Sequence, residues 1–339
     1  MVNQVTRSLS TRIATSFKIV LAAAVLCVSF VGNTNAQQNQ GSGSGLFISP
    51  VRTDLIINPG ETKNFTLTIK NVTSANTVYR AITNDFVAGD NEYGQPALIL
   101  DDDKFAPSHS LKRYVAAIPD VAVDAGKSKE VKVTIAVPKG TAGGGYFGAV
   151  RFVPTGGKQG QNVTLSASVG SLILVKVPGD IKELITLASF DVRSGEKAES
   201  GSKFFTSNKN LYAVARFKNS GNLHEQPFGK VIVKKGDRVV QTTEINDTTP
   251  KGSVLPDSVR RFSIKLNKID MWGKYTVEGN FGYGANGQLV SGQTSFTVIP
   301  LLLIIACLLL LALIIFAIFW FPKAIKRYNE NIVRRASRR

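Results

Sequence analysis

Residues 299–321 carry no charged side chain. At about 1.5 Å per helical residue such a run crosses a hydrocarbon layer about 30 Å thick. A soluble helix keeps one polar face, so an apolar run of this length is expected to span a membrane. Trp320 and Phe321 fall where an interfacial aromatic belt belongs. Lys323, Lys326, Arg327, Arg334, Arg335, Arg338 and Arg339 follow. Basic residues stay inside, so the preceding chain is expected to face outward, with 322–339 as a basic cytoplasmic tail. There Lys323, Lys326, Arg327, Arg334 and Arg335 would meet anionic lipid at about 1 kcal/mol each. A plain stop-transfer anchor is the simpler reading of the same residues.

The other end carries an export signal. Arg7, Arg12 and Lys18 precede the apolar stretch 19–31, and Thr34-Asn35-Ala36 supplies small residues before Gln37. Residues 1–36 are therefore expected to be removed. The stretch is shorter than the ~20 residues a retained span needs. The bulky Leu26 before Cys27 argues against a lipoprotein anchor. The tail holds +6 and the signal +3 of the formal +17, so the basic balance is partly topogenic and gives no nucleic-acid footprint. Cys27 and Cys307 both sit in apolar runs, which excludes a disulfide scaffold, a Cys-based zinc site and haem attachment.

Between these ends the pattern is β. Residues 37–45, rich in Gln, Gly and Ser, cannot bury apolar surface and form a flexible leader. Alternating segments follow at 47–51, 54–57, 64–70, 78–83, 98–100, 131–137, 145–154 and 163–176. Turn residues such as Asn58-Pro59-Gly60 and Pro138-Lys139-Gly140 separate them, and Gly156 to Gly160 joins the last two as a hairpin. After Pro178-Gly179-Asp180 a second series runs through 181–192, 211–217, 230–234, 238–245, 259–266, 273–283 and 289–298. Asn286-Gly287 is the pair a type I′ turn favours, with positive φ at both residues. Short strands without intervening helices predict an all-β body of two sandwiches, 46–178 and 179–298. No Cys lies between Gln37 and Ile299, so both rest on packing alone.

Ile48-Ser49-Pro50-Val51-Arg52, Asn58-Pro59-Gly60-Glu61-Thr62, the stretch 67–71 and the run from Gly143 to Phe152 together resemble the WxL-interacting cell-surface proteins of Gram-positive bacteria, in particular their peptidoglycan-binding domain. The plan of signal, two immunoglobulin-like domains, one C-terminal membrane helix and a short basic tail is similar too. The resemblance implies attachment to peptidoglycan and to other surface proteins. Tyr146 and Arg151, within the last matching run, are candidate ligand contacts. So are Trp272 and Tyr275, which with Phe281 and Tyr283 could stack on carbohydrate, although strand aromatics more often pack inward. Domain two matches the family more loosely. A basic body would attract phosphate-bearing wall polymers, or would simply stay soluble; composition leaves both open.

Catalytic groups are scarce. His109 and His224 both fall in turn-like segments, where solvated surface positions are expected. Ser194/Lys197 and Ser200/Lys203 have Ser-x-x-Lys spacing, but that chemistry needs a helical turn and the stretch has no helical period. Gly143-Gly144-Gly145 lacks the Gly-Lys-Ser/Thr of a phosphate loop and is expected to permit a bulge or bend. Asp101, Asp102 and Asp103, near Asp85, Asp90 and Glu92, are the best metal candidates, for calcium, but match no calcium loop; a hydrated acidic loop is the favoured reading. Asn64, Asn71, Asn162 and Asn246 begin N-x-Thr sequons. The inventory points to a non-enzymatic, cofactor-free cell-membrane protein that holds a wall polymer or surface protein. The alternative is an accessory subunit of a membrane signalling or transport complex, engaged through its helix or tail.

Overall fold

The alternation is realised as seventeen strands among the described residues, 45–155 and 169–336 of the computed structural model. The expected signal, the leader up to residue 44, the 156–160 turn, Asn162 and the last three residues lie outside the described residues, and side chains are described as far as Lys326. Of the leader, only Gly45 is described, and its carbonyl accepts from the Val72 amide.

The first nine strands are β1 (Leu46–Ser49), β2 (Arg52–Ile56), β3 (Thr62–Asn71), β4 (Thr77–Ala88), β5 (Pro96–Leu98), β6 (Val121–Val123), β7 (Ser128–Ala136), β8 (Gly144–Pro154) and β9 (Val169–Val177). They form one sheet of order β1-β3-β7 and another of order β2-β9-β8-β4-β5, with β6 also on β4. Leu67 and Ile69 of β3, Val131, Val133 and Ile135 of β7, and Val150, Phe152, Ile173 and Val175 of β8 and β9 alternate inward and share one buried core. Each such side chain contributes about 1.5–3 kcal/mol by leaving water.

The second series is β10 (Ile185–Ser194), β11 (Phe204–Phe205), β12 (Leu211–Asn219), β13 (Phe228–Lys235), β14 (Arg238–Ile245), β15 (Val259–Lys265), β16 (Gly273–Tyr283) and β17 (Gln288–Val298). Sheets of order β10-β12-β15 and β11-β17-β16-β13-β14 enclose a second core around Phe217, Tyr275, Val277, Phe281 and Phe296. The two halves repeat one device. Asn71 ends β3, and its Nδ2 donates to the carbonyls of Ala75 and Val123 at 2.7 and 3.0 Å. Asn219 ends β12, and its Nδ2 donates to Leu223 and Val254 at 2.7 and 2.9 Å. In each, Oδ1 accepts the amide two residues on, from Thr73 or Gly221.

Some expectations need correction. β4 extends five residues past the expected end at 83, because Asn84 and Asp85 are buried with partners: Ile99 O for the amide, and the Ala106 and Lys112 amides for the carboxylate. β6 and β11 are too short to carry a period. The chain at 181–184 is not strand; Lys182 and Leu184 instead offer carbonyls to the Asn222 and Ser220 amides, and β10 starts at Ile185. The β16–β17 connection pairs Tyr283 with Gln288 across four residues, with positive φ at Gly284 and Gly287 and not at Asn286, so no two-residue type I′ turn forms. The side-chain amides of Asn71 and Asn246 are spent on backbone carbonyls, which leaves neither free as a sequon.

Among the described residues one α-helix, α1 (Leu301–Ala336), follows the last strand. It is long and apolar enough over Leu301–Lys326 to cross a membrane, and none of its apolar window is buried in protein. It starts two residues later than the apolar run, since the Ile299 amide still bonds to Phe205 O. It continues through Pro322 to Ala336, so Lys323, Lys326, Arg327, Arg334 and Arg335 lie on the helix. The side chains of the last three are outside the described residues.

Candidate functional site

The groups with the most perturbed environments gather where the first core meets the second. Gly144 opens β8 at φ 148°, and a Cβ there would stand 2.9 Å from Asn222 O. One on Gly143 would stand 2.6 Å from the Asp180 amide nitrogen. The glycine run therefore lets two backbones touch, a tighter role than the expected bulge. The Gly145 amide donates to Asn222 O at 2.7 Å, and Asn222 Nδ2 reaches the carbonyls of Gly143 and Asp180 at 3.1 and 2.8 Å.

Both histidines lie at this seam, contrary to the expected solvated positions. His109, at φ 61°, holds Nδ1 2.6 Å from Gly145 O and packs its ring near Tyr146 and Phe147. The His224 side chain is 11% exposed, with Nε2 3.7 Å from Asp54 Oδ1 and its ring edge-on to Phe147 at 5.5 Å. Burial pushes its pKa down to about 4 against the pull of Asp54, with Arg52 and Lys176 adding to the depression. Next along, burial and then Glu183 push Glu225 up to about 7. Its Oε2 accepts the Gly284 amide at 3.1 Å, and Oε1 has no partner.

These shifts give stability two opposing pH slopes. His224 is neutral in the fold, so the stability it contributes is complete above its ordinary 6.5 and is lost as pH falls toward 4. Glu225 binds its proton more tightly folded than unfolded. Its contribution is complete below its ordinary 4.5 and is lost as pH rises through about 7. Urea midpoints of the full chain in micelles should show it: His224→Gln removes an acid-side loss of about 3 kcal/mol. Glu225→Gln removes a smaller decline toward neutral pH, about 1–2 kcal/mol because water partly screens that carboxyl. Unchanged profiles in both variants would contradict this picture of the seam.

Cations converge beside the histidine. Arg52 binds Asp54 Oδ1 at 2.7 Å and reaches across to Lys251 O and Ser253 Oγ at 2.8 and 2.9 Å. Glu92 on the other side accepts Arg216 through both carboxylate oxygens and lies 3.7 Å from Arg261 Nε. Between them is a cavity of about 70 Å³, walled by Phe86, Leu172, Leu174 and Leu255 and by Arg52 and Arg260. Phe86, Leu174, Phe147 and Ala149 form a small apolar cluster joined by Leu255 from the second series. Arg260 donates to Ser253 O at 2.8 Å, but its Nε has no partner and, among the described residues, no carboxylate pairs with it. Burial and then the neighbouring Arg52 lower its pKa. A half-buried guanidinium short of a counter-charge has the chemistry to accept an anion.

The residues singled out in the sequence do not form one site. Tyr146 is half-buried, with its hydroxyl on Ala142 O at 2.9 Å and its ring against Tyr114. Arg151 bonds Asn84 Oδ1 at 2.8 Å. Trp272 is 69% exposed, whereas Tyr275, Phe281 and Tyr283 are buried, so the four make no shared stacking face and Trp272 is no core anchor. Asp101 pairs with Lys104 at 2.5 Å, Asp102 and Asp103 are exposed, and no metal-sized cluster of carboxylate, His or Cys side chains occurs among the described residues. Neither Ser-x-x-Lys pair lies on a helix. Arg216 and Arg260 were signalled by no motif, and Arg52 and Glu92 entered only as the end of the Ile48–Arg52 segment and as a neighbour of the calcium candidates, because the four meet only through the fold.

No protein-family model matches the chain, and no curated protein is similar to it. Solved structures are similar to the chain only at low likeness. The class 5 fimbriae chaperone CfaA is 12% identical, with TM-score 0.34, covering 76% of this chain and 100% of its own. The CupB2 chaperone of Pseudomonas aeruginosa is 11% identical, with TM-score 0.31 over 73% of this chain and 98% of its own. A Porphyromonas gingivalis protein of unknown function is 14% identical, with TM-score 0.28 over 75% of this chain and 100% of its own.

Proposed function

We propose that this chain is a non-enzymatic envelope protein, held by α1 as its single membrane span with the body outside, that binds peptidoglycan. The body is read as two immunoglobulin-like sandwiches, 46–178 and 179–298. Two separate cores, each between two sheets, and the twice-used asparagine device support that division. The signal at 1–36 and the basic residues after position 321 support the outward orientation. The segments around Pro50, Pro59 and 143–152 support a place among WxL-interacting cell-surface proteins.

The observation that carries the binding reading is Arg260. About 70 Å³ is room for a few waters or a small anionic group such as a carboxylate. The ligand would therefore enter by a free carboxylate, as on a peptidoglycan stem peptide, while its glycan stays outside. Gly273 and Tyr283 bound β16, ten steps of about 3.4 Å apart, so the seam stands about 34 Å beyond the start of α1.

Co-sedimentation of the detergent-solubilised full chain with purified cell walls tests this. Loss of a charge-assisted hydrogen bond in Arg260→Met should weaken retention about tenfold or more. The melting temperature should hold or rise, since an unpaired, half-buried charge is removed. Undiminished retention would place the wall contact elsewhere.

A further inference from the structure

The end of the second sheet opposite the seam carries exposed apolar side chains with no partner in the fold. Val298 pairs with Gly273, Phe204 with Thr297, and only Ile299 and Pro300 separate the last strand from α1. Trp272, Met271 and Phe204 thus stand beside the first turn of the helix, 69%, 67% and 70% exposed. Lys203, Lys268 and Lys274, all exposed, flank them. Among the described residues the Trp272 indole N–H meets no acceptor, while its carbonyl accepts from Lys235, which is held by Asp270 at 2.6 Å. The uncharged part of α1 from Leu301 is 22 residues long, about 33 Å at 1.5 Å each, and a hydrocarbon layer is about 30 Å thick. No length is left over for a spacer, so the first turn of α1 and the row of Trp272 fall at headgroup depth.

The geometry points to this apolar end, ringed by lysines, as a docking surface for the headgroup layer of the membrane that α1 crosses. Trp272, Met271 and Phe204 dip to the acyl boundary, the indole N–H bonds lipid carbonyls, and the lysines meet phosphates. The body is thereby held against the bilayer and not left to swing on its anchor. The inference rests on α1 being a membrane span.

Trp272 and Trp320 are the protein's two tryptophans, so each can be read alone. The full chain as Trp320→Phe, reconstituted in vesicles of zwitterionic and anionic lipid brominated near the carbonyls, reports Trp272. Trp272→Phe in the same vesicles reports Trp320. Bromolipid quenching of Trp272 comparable to that of Trp320, with shielding from aqueous acrylamide, is expected. Quenched Trp320 with Trp272 open to acrylamide would overturn the docking surface and leave the span intact. Trp272 shielded from both quenchers would overturn it in favour of a protein contact. Quenching of neither residue would overturn the membrane span itself.

Discussion

Replacing Asn219 with Ala should cost about 3 kcal/mol or more of stability. The side chain is fully buried. Its loss strands the carbonyls of Leu223 and Val254 and the amide of Gly221, and each unsatisfied buried group costs about 1–3 kcal/mol. Asn71→Ala should cost as much in the first half, since Tyr79 Oη and Thr73 Oγ1 also lose their acceptor there. Asp at either position keeps the accepting oxygen but sets a second carboxylate oxygen against the two carbonyls, and should cost at least as much as Ala. Urea denaturation of the full chain in micelles gives the comparison. A change below about 1 kcal/mol would mean the asparagines are passengers in turns that other contacts hold.

Glu92→Ala should cost about 2–3 kcal/mol and loosen the seam between the cores. Breaking a buried ion pair by removing one partner costs about 3–5 kcal/mol, and the 23–29% exposure of this pair lowers that figure. The variant leaves Arg216 and Arg261 without their shared carboxylate, close to Arg193 and Arg260. The Arg261 amide bonds Glu92 O at 2.7 Å and Tyr93 lies 5.0 Å from the Arg261 guanidinium, so the segment around Glu92 would lose its grip on β15. Hydrogen exchange should speed up at 92–96 and at the start of β15 while the two cores stay protected. Glu92→Gln keeps the shape and one acceptor, and should recover part of the loss. Uniform loosening of one whole core would instead mean that the pair supports packing within that core.

What could be read from the sequence follows from range. Strands such as β3 and β16 alternate strictly, so their inward faces were legible from period alone, and the apolar run of α1 needed only counting. Asn84 and Asp85 broke the period of β4 because they are polar yet buried, their partners coming from residues 99 to 112. His224 looked solvated since its burial comes from Phe147 and Asp54, far away in the chain. Glu92 and Arg216 are 124 residues apart and carry no motif; only the folded chain pairs them. Trp272 reads inward by alternation, but it precedes β16 at the sheet's end, where no facing strand covers it.

Hydrogen exchange of the full chain in lipid nanodiscs, with and without purified muropeptides carrying a free stem-peptide carboxylate, tests the central claim most directly. New protection is expected at Arg52, 172–174, Ser253 and Arg260, the walls of the cationic cavity, and it should vanish when the carboxylate is amidated. Protection that is confined to other surfaces, or that is the same for free and amidated muropeptides, would contradict an anion-binding seam.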